Sequence, residues 1–296
     1  MIKEFCPVYN EKIISALKIE EHKKLVDNFF LTESDRSFSY NFKGFDFNIN
    51  DNNVIVLHQN SNLYFKKWNF IQKMLKKTSN KITKNKDFYF DTMTEYKWYN
   101  EAQQRNFGPE IIGINNDDII IFSDIDEIIN QKYFEQIIDL VNKYQIITLR
   151  LHFTFFFLNL FSQNWPGPDD YSYRVFIMTG KKYKSLNITS DRLRKYGEKG
   201  LLKNEIFCPK EVMGFHHSWL GDEKFVANKL KNYAHSKNDH TSEIFNVDGS
   251  PKINIIKKLI LEKKSLFPGH ELIVDNNIEM LDSVKNNLSN YKDYLI

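Results

Sequence analysis

The chain has 296 residues, 42% hydrophobic and 27% charged, the proportions of a globular protein with a sizeable core. Its formal net charge of +3 is too small to point to nucleic acid or to an anionic membrane surface. Two cysteines, Cys6 and Cys208, make neither a metal nor a disulfide framework and are expected as buried thiols of a reducing compartment.

The opening "MIKEFCPVYN" lacks the features of a signal peptide, and a cytoplasmic protein of bacterial or viral type is expected. "IKEFCPVY" reads as a strand. "EKIISALKIEEHKKL" reads as a helix with Ile13, Ile14, Leu17 and Leu25 on its apolar face and Lys18, Glu20 and Lys24 on its wet one. "VDNFFLTE" and "NVIVLH" are further strands, and residues 61–77 read as a basic helix. "EYKWYNEAQQRNFGPEI" is a helix expected to break at Gly108-Pro109. "DIIIFS" is a strand and "QKYFEQIIDLVNKY" a helix.

Past Gln145 two strands follow in succession, at 145–157 and 171–179, and then a basic segment at 181–203 read as mobile. "GFHHSW" is a short strand, and helices are expected at 221–236, 251–263 and 277–289. The most apolar run, "LHFTFFFLNLF", is shorter than the roughly 20 residues needed to span a bilayer. Alternating strands and helices predict an α/β, Rossmann-like domain with a mainly parallel mixed sheet flanked by helices. The simplest partition is one domain over 1–265 with a C-terminal helical appendage over 266–296.

The stretch that carries chemistry is "DDIIIFSDIDEIIN". A fully apolar strand runs into Asp124, Asp126 and Glu127, carboxylates close enough to repel one another. In parallel sheets ligands bind outside the carboxyl ends of strands, where this cluster lies. Strand alternation would place Asp124 and Asp126 on one side and Ile125 on the other. Such a pair suits a hard divalent ion with positions open for phosphate oxygens. The plain alternative is a solvated acidic turn or a helix cap.

In "MGFHHSWLGDEKFVANKLKNYAHSKND" only one of the adjacent His216 and His217 faces such a site, and imidazole beside carboxylates suits Mn2+. The basic segment, with Arg192 and Arg194, is either a solvated face or a clamp that neutralises a diphosphate.

Three blocks in order resemble glycosyltransferase family 17, the β-1,4-mannosyl-glycoprotein N-acetylglucosaminyltransferase family. "CPVYNEKIISALKIEEHKKLVDNFFLTESDRSFS" resembles the family's opening through Tyr9-Asn10-Glu11, Glu33-Ser34 and Ser37-Phe38. "QQRNFGPEIIGINNDDIIIFSDIDEIIN" resembles its Gln-Arg-Asn helix and Ser-Asp-Val-Asp-Glu strand end, with Ile129 in place of a proline. "GFHHSWLGDEKFVANKLKNYAH" resembles its Gly-Trp-His-x-Ser block, with Phe215 in place of the tryptophan. The likeness runs from about residue 2 to residue 236, and nothing is carried over beyond it.

The resemblance implies a GT-A fold and a UDP-sugar donor, N-acetylglucosamine being the family's sugar. It also implies inversion at the anomeric carbon and a divalent metal, Mn2+ or alternatively Mg2+. It implies Asp124 and Asp126 at metal and ribose, His216 completing the metal's coordination, and Asn10, Glu11 and Glu33 in the nucleotide pocket. Arg105 is either a pocket residue or an i,i+4 partner of Glu101. Asp126, Glu127 and Asp191 are the acidic catalytic candidates, and Trp165 and Trp219 are candidates for stacking on a sugar. The acceptor would be a glycan or a lipid-linked sugar. Two other readings compete: a phosphohydrolase of haloacid-dehalogenase type, with Asp124 as nucleophile, and a nucleotide-sugar-binding protein without activity.

Overall fold

A computed structural model describes residues 1–49, 51–60, 96–165, 174–198, 202, 204–232 and 243–296. The helix expected over 61–77 and the start of the strand expected at 171–179 lie outside the described residues. In chain order the strands are β1 (Ile2–Val8), β2 (Asn28–Ser34), β3 (Val54–Gln59), β4 (Ile119–Phe122), β5 (Glu127–Ile129) and β6 (Ile146–Thr148). They continue with β7 (Arg150–Phe155), β8 (Leu160–Ser162), β9 (Phe176–Thr179), β10 (Val212–Ser218) and β11 (Leu272–Val274). The fold is mixed α/β, with two central sheets flanked by helices.

The first sheet has the order β3-β2-β1-β4-β9-β6, its first four strands parallel and β9 antiparallel to both its neighbours. β1, β2 and β4 are buried on both faces, which is why they read as near-continuous apolar runs. The second sheet, β11-β8-β7-β10-β5, pairs β7 and β10 in parallel and the rest antiparallel.

The Lys12–His22 helix buries Ile14, Leu17, Lys18, Glu21 and His22, an i, i+3, i+4, i+7, i+8 stripe. Lys18 therefore does not lie on the wet face where the sequence reading put it. It is fully buried, because its ammonium has partners inside.

The Tyr96–Ile112 helix runs unbroken through Gly108-Pro109, against expectation. A proline has no N–H for the carbonyl four residues back. That carbonyl belongs to Arg105, and Ser190 Oγ donates to it at 3.0 Å instead. A Cβ on Gly108 would stand 2.9 Å from Phe5 Cδ1 and 3.1 Å from Thr32 Oγ1, so glycine lets this helix lie close on the sheet.

The single strand expected over 145–157 is two, β6 and β7. The chain crosses from the first sheet to the second between them, at buried Leu149. The basic segment read as mobile forms helices Gly180–Leu186 and Ser190–Glu198, anchored by buried Leu193.

β5, β8 and β11 were not anticipated; each has three residues, too few for periodicity to register. Residues after 265 add β11 to the second sheet as well as helical turns at Asp282–Asn286 and Leu288–Tyr291. Ser283 N–H and Oγ both donate to buried Glu21. Cys6 is buried and Cys208 half-buried. Among the described residues no helix is long and apolar enough to cross a membrane.

Candidate active site

The acidic motif is the point at which the chain leaves one sheet for the other. β4 ends at Phe122, and Glu127 opens β5. Residues 123–126 form a turn rather than an extension of the strand. Glu127 N–H donates to Asp124 O at 3.0 Å, and Asp124 N–H donates back to Glu127 Oε2 at 2.8 Å. Asp124 and Asp126 both reach one cavity, while Ile125 is buried in the core.

Lys18 clamps the turn from below. Its Nζ donates to Ser123 Oγ at 2.7 Å, Asp124 O at 2.6 Å and Glu127 O at 2.7 Å, and lies 3.2 Å from Glu4 Oε1. Ser123 Oγ donates to Glu4 Oε1 at 2.6 Å, and His22 Nδ1 lies 2.7 Å from Glu4 Oε2. Burial alone would raise the Glu4 pKa; His22, Lys18 and Ser123 around it hold it down at about 2.

The repulsion among the carboxylates is answered by protein cations. Arg105 grips both oxygens of Asp124, and its second contact measures 3.0 Å. The same guanidinium reaches Glu101 Oε1 at 2.7 Å, so the helical pair and the pocket contact exist together. Arg194 lies 2.9 Å from Asp124 Oδ2 and 3.2 Å from Glu127 Oε1. Asp191 lies 3.8 Å from Arg105 Nε and 2.9 Å from Lys195 Nζ. Burial opposes ionisation of Asp124, but Arg105 and Arg194 outweigh it and hold its carboxyl well below the usual range.

Asp126 faces a different cation. Lys229 Nζ lies 3.1 Å from Asp126 Oδ2 and 3.1 Å from Glu11 Oε1, and 5.5 Å over the Trp219 ring. Burial again opposes ionisation, and Lys229 and His216 overcome it. Glu11 is fixed from its other oxygen by Tyr9 N–H at 3.2 Å.

β10 runs antiparallel to β5 with His216 opposite Glu127, and His217 N–H donates to Asp126 O at 2.8 Å. The adjacent rings part. His216 Nε2 lies 3.5 Å from Asp126 Oδ1, whereas His217 Nδ1 lies 2.8 Å from Thr154 Oγ1. Burial and the neighbouring His216 push the His217 pKa down to about 3, and its Nε2 has no hydrogen-bond partner among the described residues. A Cβ on Gly214 would stand 2.2 Å from Ile128 O, so glycine is what lets β10 pair this closely with β5.

A cavity of about 220 Å3 results. Its ionic lining is Glu101, Arg105, Asp124, Asp126, Arg174, Arg194 and Lys229. Its aromatic lining is Trp98, Phe153, His216, Trp219, Phe267 and His270. A smaller cleft of about 100 Å3, bounded by Tyr9, Glu11 and Gln104, also reaches Asp124 and Asp126. Trp219 has φ of 62°, an uncommon conformation for a bulky residue, and packs 5.7 Å from Phe267. Trp165 is not among the residues that line the cavity; its ring stands 6.2 Å from that of Phe153, which is.

Other expected residues lie elsewhere. Glu33 is fully buried and accepts from Lys43 Nζ at 2.6 Å, Asp46 N–H at 2.7 Å and Phe47 N–H at 3.1 Å, pinning a loop. Arg192 turns to Tyr196, donating to its hydroxyl at 2.7 Å. Asn10 lines a separate cavity of about 560 Å3 that meets the smaller cleft at Glu11. Glu127 is fully buried with both oxygens engaged, so its visible work is to hold the turn and Arg194. The sequence reading missed Lys18, Glu4 and Lys229 and considered Glu101 only as a partner of Arg105. Lys229 stands in the helix after "HHSW", where a lysine reads as surface.

The expected divalent ion does not match the donor set as arranged. Among the described residues no three His, Cys, Asp or Glu side chains form a group that could hold a metal. Both oxygens of Asp124 meet guanidiniums, and Asp126 is shared by Lys229 and His216.

No protein-family model and no curated protein matches the chain. Among solved structures it is similar to the crystal structure of S. aureus TarS 1-349, at 11% identity and a TM-score of 0.39, covering 83% of this chain and 76% of that one. It is also similar to the galactosyltransferase LgtC in complex with donor and acceptor sugar analogs, at 11% identity and a TM-score of 0.32, covering 70% of this chain and 73% of that one.

Proposed function

We propose that this chain is a glycosyltransferase that moves a sugar from a nucleotide-sugar donor to an acceptor hydroxyl. The observation that carries this reading is the lining of one cavity, where guanidinium and ammonium groups stand together with aromatic rings. A departing nucleoside diphosphate gains negative charge as its bond to the sugar breaks, and fixed cations in a partly dry site stabilise that change. The sugar's C–H face suits Trp219 and Phe153, and its hydroxyls suit the carboxylates of the same cavity. UDP, N-acetylglucosamine and inversion are the finer expectations that the family 17 resemblance adds. A glycan or lipid-linked sugar remains the acceptor this reading favours.

Glu101 is the group best suited to take the acceptor's proton. Burial raises its pKa, one oxygen rests on Arg105, and the other, Oε2, is buried with no hydrogen-bond partner among the described residues. The acceptor oxygen would bond to the anomeric carbon as its proton passes to the Glu101 carboxylate and the carbon–oxygen bond to the diphosphate breaks. Asp126 is a weaker base because Lys229 and His216 favour its ionised form. A phosphohydrolase nucleophile at Asp124 would first have to release Arg105 and Arg194.

Calorimetry with UDP, GDP and CDP tests the donor reading. One of them should bind the wild type, and Arg194→Ala should weaken it by about tenfold or more. Binding of none, or equal binding by Arg194→Ala, would contradict the reading.

A further inference from the structure

Lys229 occupies the position that a bridging cation would take between Asp126 and Glu11, equidistant from the two carboxylates at 3.1 Å. Its ammonium also lies over Trp219, whose ring closes one side of the cavity. The Glu223–Asn232 helix that carries it is anchored by buried Val226 and Leu230, so the side chain is delivered from a packed element. On the other side of the motif Arg105 and Arg194 converge on Asp124. These three cations, together with Arg174, line one cavity that also contains the Asp124 and Asp126 carboxylates.

We propose that Lys229, with Arg105 and Arg194, is the site's own counter-charge for the donor diphosphate, so that nucleotide binding requires no divalent ion. The proposal deepens the donor reading and rests on it. Lys229 is a compact ammonium with three donors. It can keep one hydrogen bond to Asp126 or Glu11 and turn another to a phosphate oxygen. A divalent ion placed between these carboxylates would compete with Lys229 for the same oxygens, and with the ammonium present its affinity would be low.

Two measurements separate this proposal from the donor reading itself. The first uses Mn2+ alone, followed by electron paramagnetic resonance. The wild type should hold no stoichiometric ion, whereas Lys229→Ala should gain one, because Glu11, Asp126 and His216 are then left without their ammonium. A stoichiometric Mn2+ in the wild type would overturn the proposal. The second is calorimetry with UDP and with inorganic pyrophosphate, in EDTA and in Mn2+. The wild type should bind with the same affinity in both, within about twofold, and Lys229→Met should bind about tenfold more weakly in EDTA. Loss of wild-type binding in EDTA, or full binding by a folded Lys229→Met, would overturn it. Lys229→Met keeps an unbranched side chain only one atom shorter, and its thermal unfolding checks that the fold survives. Absence of any diphosphate binding by the wild type in either condition would overturn the proposal together with the donor reading.

Discussion

Arg105 and Asp124 face each other as a two-point ion pair, each carboxylate oxygen meeting a different nitrogen of one guanidinium. The pair ties the Tyr96–Ile112 helix to the turn between the two sheets. It fixes the direction of Asp124 and keeps that guanidinium on the cavity wall.

Replacing Arg105 by lysine keeps the charge but loses the planar two-point geometry. Steady-state kinetics on the best nucleotide-sugar should then show kcat/KM reduced by about tenfold or more, and Arg105→Ala should be worse. A rate unchanged in Arg105→Lys would mean that only the net charge matters at this position.

Glu101→Gln removes the group that would accept the acceptor's proton while keeping its size and its contact with Arg105. Transfer should fall by about two orders of magnitude, donor KM should change little, and the acidic limb of the pH–rate profile should disappear. Burial raises the Glu101 pKa, so in the wild type that limb should lie above the ordinary glutamate range. Persistence of the limb in Glu101→Gln would assign the base to another residue.

The clamp beneath the motif bears on stability. Lys18→Met leaves Glu4 and two backbone carbonyls buried without their ammonium, and should destabilise the fold by about 3–5 kcal/mol in urea unfolding. Glu4 titrates at about 2 when folded against a reference of 4.5. Its contribution of about 3 kcal/mol is therefore complete above the unfolded pKa and is lost as pH falls through the folded one. A Glu4→Gln variant should lose stability at neutral pH and show a flatter acid limb between those two values. A slope equal to that of the wild type would separate Glu4 from acid unfolding.

His217 gives a second window of the same sign. It is neutral in the fold, with a pKa near 3 against a reference of 6.5, while the unfolded chain takes up a proton as pH drops below 6.5. Stability is intact above 6.5 and declines on acidification, by about 2 kcal/mol at pH 5. Half-buried His152, lowered to about 4, adds to the same limb. His217→Leu should reduce the difference in urea midpoint between pH 7 and pH 5; an unchanged difference would place the titration elsewhere.

Much of this arrangement is legible in the residues, because local signals and tertiary roles agree. The run Ile119–Phe122 reads as a buried strand, and three carboxylates at its carboxyl end read as a site. Alternation on a strand separates His216 from His217 before any coordinates are known. Lys18 was misread because a lysine on a buried stripe is justified by partners on other elements, Glu4 on β1 and, more than 100 residues away, Ser123 and the carbonyls of Asp124 and Glu127. Pro109 ends a helix in isolation, and only Ser190 makes it tolerable here. The change of sheet at Leu149 leaves no mark on an apolar pattern that continues through it. The cations of the site were partly legible, but Lys229 was not, since nothing in sequence spacing brings that residue to Asp126.

The central claim is that the cavity lined by cations and aromatic rings breaks the bond between a sugar and a nucleoside diphosphate. The most direct measurement is the initial rate of nucleoside diphosphate release from UDP-, GDP- and CDP-sugars by the wild type and by Arg194→Ala. Inorganic phosphate release from p-nitrophenyl phosphate with Mg2+ is measured in parallel. One nucleotide-sugar should be hydrolysed slowly in the absence of acceptor, and Arg194→Ala should lower kcat more than it raises KM, because the charge it meets grows toward the transition state. Phosphate release from p-nitrophenyl phosphate with no turnover of any nucleotide-sugar would contradict the account in favour of a phosphohydrolase, and no turnover of either would contradict it in favour of a binding protein.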